Sequence, residues 1–84
     1  MNKSDLIELL IIFVRLKNNV FLFGINNIQV ENTLKEYEIF LLKNKDYLDF
    51  NIEIEMKELK NRDYKSILNY CDINIKHLKN KILN

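Results

Sequence analysis

The residue pattern predicts an α+β fold in two layers, on two observations. Residues 48–57 alternate strictly between apolar and polar side chains, the period of a strand with one buried face. From Asp63 onward, and again over residues 4–17, the apolar residues recur at the helical interval instead. The predicted order is an N-terminal helix, an antiparallel three- or four-stranded sheet, and a long C-terminal amphipathic helix laid across that sheet. The alternative is a small all-α bundle in which residues 33–59 are helical; the alternation at 48–57 counts against it.

The first helix is read over 4–17. Ser4 or Asp5 can cap it, and Glu8 follows Asp5 at the capping-box interval. At about 100° per residue, Leu6, Leu9, Leu10, Phe13 and Leu16 share one face. Ile7, Ile11 and Val14 form a second apolar strip beside it. The combined arc covers roughly 220°, about twice what one core contact needs. Either the domain itself engulfs this helix, or Ile7, Ile11 and Val14 dock against a partner or a second copy.

Asn18-Asn19 break the pattern. Val20-Phe21-Leu22-Phe23-Gly24-Ile25 is a short run rich in strand formers, and Ile28-Gln29-Val30 resumes alternation. Asn tolerates positive φ, so the Asn26-Asn27 link reads as a hairpin turn, with Gly24 marking a bulge or a close backbone approach. Residues 36–42 are read as a strand, although Thr33-Leu34-Lys35-Glu36 also has the form of a capping box opening a helix. Lys43-Asn44-Lys45-Asp46 reads as a turn. In the strand that follows, Leu48, Phe50, Ile52, Ile54 and Met56 face one way, while Asp49, Asn51, Glu53, Glu55 and Lys57 face the other. The last helix has Asn61 or Asp63 as its cap. Its stripe runs Tyr64, Ile67, Leu68, Cys71, Ile75, Leu78 and Ile82, with Ile73 off it.

Composition narrows the function classes. The chain has 84 residues, 30% of them charged, and a net charge of +1. One domain over 1–84 is expected, not a two-domain enzyme. Thirteen Asn, twelve Ile and eleven Lys with no Ala or Pro point to an A/T-rich genome of the phage or plasmid type, an association of codon usage. One Cys and one His are too few for a disulfide framework or a protein-built zinc site, so no metal or cofactor is expected. The lone Cys fits a reducing compartment. The apolar stretch 6–14 is interrupted by Glu8 and far too short for a bilayer, which makes a cytoplasmic protein without membrane contact the expectation.

No catalytic set is legible. Cys71 lies on the core stripe of the last helix, and His77 lies about 120° away around the axis. No Gly-rich phosphate cradle is possible with a single Gly. Surfaces remain. Asp49, Glu53 and Glu55 would form a carboxylate row at roughly 7 Å intervals on a strand, fit to address a basic groove or simply to keep a sheet face solvated. Tyr70 with Ile73 is a candidate contact patch off the last stripe. Lys76 and Lys79 share a flank of the last helix with Lys65 and Asp72, and residues 66–78 scan loosely as helix-turn-helix. The expectation is a small non-catalytic protein-binding module of the inhibitor, immunity or anti-defence type, occupying a surface of a larger partner. The alternatives are a nucleic-acid-binding regulator and a homodimeric adaptor.

Overall fold

Helix caps, not strand pairing, set the architecture. The computed structural model describes residues 1–84. It consists of α1 (Lys3–Phe23), α2 (Ile28–Lys43), a single 3-10 turn (Lys45–Tyr47), α3 (Ile52–Lys60) and α4 (Tyr64–Leu83), with no strand. The all-α bundle is therefore the fold, and the predicted α+β sandwich is incorrect.

Each start carries a side-chain acceptor for an orphan helical N–H. Asn2 and Asp5 form a reciprocal capping box at α1. Asn27 accepts from the Gln29 amide at α2, Asn51 from Ile54 at α3, and Asp63 from Ser66 at α4. Asn-richness, expected as a genomic habit, thus supplies three of these four caps.

The predicted strands fail for a common reason. In 48–57 the apparent apolar face is not buried: Phe50 and Ile54 are exposed, and of that set only Met56 is buried. Extending the window to Leu59, which is fully buried, brings Ile52, Met56 and Leu59 into line at helical spacing. Glu53 and Glu55 then fall in the first turn of α3 and Lys57 and Lys60 in the last, as the helix dipole favours. The 20–25 run is the end of α1, not a strand. It stops where Gly24 takes φ +80° and donates its N–H to the Val20 carbonyl. The supposed hairpin turn Asn26-Asn27 is a corner between two helices. Residues 36–42 lie inside α2, where Val30, Leu34, Tyr37, Phe40 and Leu41 point inward.

Arg15 pairs with Glu36 and Glu8 with Lys43, so α1 and α2 are antiparallel. The least dimension is 18 Å, about two helix diameters. At the centre, the Phe13 ring of α1 packs against Tyr37 of α2 and Tyr70 of α4, at 5.2 and 5.8 Å between centroids. No buried side-chain nitrogen or oxygen lacks a hydrogen-bond partner.

Candidate functional site

The outer face of α1 is an unpartnered apolar surface. Phe13, Leu16 and Val20 fill the core, so by helical periodicity Ile7, Ile11, Val14 and Phe21 turn away from it. Ile11 is 51% exposed and Phe21 67% exposed; Ile7 and Val14 are also exposed, and Asn18 lies among them. The predicted strip Ile7, Ile11 and Val14 is therefore not engulfed by its own domain. Across the α1–α2 seam, Ile39 (64% exposed) continues the surface.

Between α1 and α2 lies a shallow groove of about 530 Å³, floored by Ile7, Ile11, Ile12, Ile39 and Phe40. One end is crossed by the Lys43–Glu8 pair at 3.6 Å and the other by the Arg15–Glu36 pair. These pairs are exposed and contribute little stability. Their importance is that they fix charges of both signs at the rim of an apolar patch. Sequence reasoning missed Phe21 and Ile39, because their segments were assigned to strands. Once 18–23 is helical, the seven-residue interval Ile7, Val14, Phe21 carries the signal.

The predicted acidic row does not exist as a row. Asp49 is exposed in the bend before α3, and Glu53 is exposed on that helix. Glu55 turns inward instead, accepting hydrogen bonds from the Tyr37 hydroxyl at 3.0 Å and the Tyr70 hydroxyl at 2.7 Å. This carboxylate clasps α2, α3 and α4 over Phe13. Burial, above all, raises the Tyr37 hydroxyl pKa, reinforced by the neighbouring Tyr70 and Glu55. Burial also leads in pushing Tyr70 up to about 12, with Glu55 adding to the rise and the Tyr37 hydrogen bond and Arg62 opposing it. The Arg62 guanidinium lies 4.5 Å from the Tyr70 ring centre and donates to the Ser66 hydroxyl at 2.9 Å.

Tyr70 and Ile73 accordingly do not form one patch. Tyr70 is half-buried and hydrogen-bonded inward, while Ile73 points outward among polar neighbours on α4. Lys76 and Lys79 are exposed on an α4 flank and take part in no ion pair; nearby Asp72 is engaged by Lys17 at 2.6 Å. Helix α4 runs unbroken from Tyr64 to Leu83, so the loose helix-turn-helix pattern within 66–78 contains no turn.

Cys71 is buried in the core, and burial, aided by Asp72 and opposed by Lys17, pushes its thiol up to about 12. A thiol held that high is a poor nucleophile near neutrality. His77 is exposed. No group of three or more His, Cys, Asp or Glu side chains is placed to hold a metal ion. A second cleft, of about 450 Å³, lies over Ile25, Val30, Leu34, Leu59 and Ile67, with charged side chains at its rim and neither His nor Cys lining it. No helix is long and apolar enough to cross a membrane. Compared with known proteins, the chain matches no family model, no curated sequence and no solved structure.

Proposed function

We propose that this is a small non-catalytic binding protein of the cytoplasm, acting by occupying a surface of a larger protein partner as an inhibitor, immunity or anti-defence factor does. The observation that carries this reading is the outer face of α1. Ile7, Ile11, Val14 and Phe21, with Ile39 across the groove, expose apolar area that water gains nothing from solvating. Patches beyond a few hundred Å² are uncommon on monomers and mark interaction sites. A ring of charge around an apolar centre also matches how interfaces are built. The absence of a nucleophile–base pair in the α4 inventory supports binding over chemistry. With Glu55 occupied internally, an acidic recognition face is not part of this proposal.

The test is capture of partners from the native host by the full chain, comparing Ile11→Glu with Ile73→Glu. Loss with Ile11→Glu alone supports α1 as the binding face; identical capture by both removes it. A second reading, nucleic-acid binding, is favoured by the unpaired Lys76 and Lys79 on one helix flank. It requires a mobility shift that weakens with salt and with Lys76→Ala or Lys79→Ala. No shift at low salt excludes it.

A further inference from the structure

We infer that the outer face of α1 is self-complementary and pairs with a second copy of this chain, the two α1 helices lying antiparallel across a two-fold axis. This rests on the reading of that face as an interface, and it names the occupant.

The first support is spacing. Ile7, Ile11, Val14, Asn18 and Phe21 stand four, three, four and three residues apart. At roughly 100° per residue they fall within an arc of about 80°. That is the 3.5-residue repeat with which one helix meets another along a straight seam, each side chain entering a gap between four on the facing helix. Nothing within the bundle uses this seam, since the core contacts of α1 lie on its opposite side.

The second support is charge. Flanking the seam, Glu8 and Arg15 stand seven residues, about 10 Å, apart on α1. On α2, Lys43 and Glu36 stand the same distance apart, level with them, because Lys43 pairs with Glu8 and Glu36 with Arg15. The midpoint of both pairs falls beside Ile11 and Ile39. A two-fold axis through that midpoint brings Glu8 of one copy to Arg15 of the other, and Arg15 to Glu8. In the same operation Lys43 approaches the Glu36 end of the second copy. A parallel pairing, whose two-fold axis runs along the helices, would put the Glu8–Arg15 edges of the two copies on opposite sides of the seam, out of reach of each other. The pattern is therefore isologous, as closed two-fold dimers require.

The third support is extent. The same register overlaps the α1 helices along nearly their whole length. It seats Ile11 between Ile11 and Val14 of the second copy, Ile7 between Val14 and Asn18 of that copy, and Phe21 and Leu22 over the Met1–Ser4 end of the partner helix. Ile7, Ile11, Val14, Phe21, Leu22 and Ile39, at on the order of 100 Å² each, supply about 600 Å² per partner, the lower edge of the standard interface range. The second copy and the larger partner then compete for one face.

Sedimentation equilibrium of the full chain into the high micromolar range is the test. The expected mass is twice 10.2 kDa. Ile11→Glu or Ile39→Glu should return it to the single-chain mass with helical circular dichroism retained, whereas Ile73→Glu should leave the dimer intact. Orientation is read by oxidative cross-linking. Ile7→Cys mixed with Asn18→Cys should give the mixed disulfide, and neither variant alone should cross-link efficiently. A single-chain mass for the native protein overturns the proposal, and a 7–7 disulfide overturns its antiparallel geometry. If the native chain is monomeric yet Ile11→Glu still loses its partner, self-pairing alone fails. If Ile11→Glu changes neither mass nor capture, both readings fail.

Discussion

Replacing Glu55 by Ala separates the bundle from any fold in which that carboxylate is solvated. In the structure Glu55 accepts two tyrosine hydroxyl hydrogen bonds, at 3.0 and 2.7 Å, and so joins α3 to α2 and α4. A hydrogen bond to a charged acceptor contributes about 1.5–3 kcal/mol. Glu55 is only half-buried, so water partly re-solvates the released hydroxyls, and the two bonds together should be worth about 2–3 kcal/mol. The control is Glu53→Ala. Both residues lie in the first turn of α3, so any helix-dipole contribution is shared and drops out of the comparison. Glu53 is exposed, and its loss should stay within about 0.5 kcal/mol. Urea titration followed by circular dichroism gives both values by linear extrapolation. For a chain of this size the Glu55→Ala difference lowers Tm by roughly 10–20 °C. A double-mutant cycle with Tyr70→Phe should return a coupling above about 0.5 kcal/mol. If Glu53→Ala and Glu55→Ala destabilise equally within error, the tyrosine clasp is wrong, and with it the packing of α3.

Alkaline pH should unfold the protein. Folding raises the pKa of Cys71 from 9.0 and of Tyr70 from 10.0, each to about 12, and raises that of Tyr37 as well. A pKa raised by folding means stability present in full below the unfolded value and lost as pH climbs toward the folded one. Denaturation midpoints should therefore fall between about pH 9 and pH 12, and less steeply in Tyr70→Phe; a flat profile over that window contradicts the burial of these groups. Gly24→Ala should cost about 1–3 kcal/mol through the backbone alone, because φ +80° with ψ 178° is a region that side chains avoid, while an added Cβ there meets nothing within 4 Å. An unchanged urea midpoint would mean that the α1–α2 corner has another shape. Cys71 should react with a maleimide only as fast as the native state opens, and mild urea should accelerate it; full labelling of the native protein within seconds counters the core placement.

The last helix and the first part of α1, read as 4–17, were legible because their apolar residues keep a helical period over several turns; the last turns of α1 were read as a strand. The Asp63 cap and the inward stripe through Ile67, Cys71 and Leu78 stand as read. The middle was misread because short apolar runs do not distinguish a strand from a helix. Val20 to Ile25 is all apolar whatever its periodicity, and the alternation of 48–57 ends just before Leu59, the residue that reveals the helical face. The alternation at 48–57 favoured a strand; the Asn51 cap, the acidic-to-basic order along α3 and the burial of Leu59 against the bundle prevailed, since short helices depend on tertiary packing. The α1 surface was half legible. Ile7, Ile11 and Val14 stood out as excess apolar arc, but Ile39 joined them only through the antiparallel register of α1 and α2. Glu55 was misassigned for the same reason: Tyr37 and Tyr70 are distant in sequence, and no local spacing announces that they meet on one carboxylate.

The role of the α1 outer face rests most directly on one measurement, hydrogen exchange or methyl chemical shift at Ile7, Ile11 and Ile39 as protein concentration or partner is raised. Burial of this face on association predicts concentration- or partner-dependent shifts confined to these side chains and Phe21, with Ile73 unmoved. Unchanged Ile7, Ile11 and Ile39 signals across the full range, with partner bound, would contradict it.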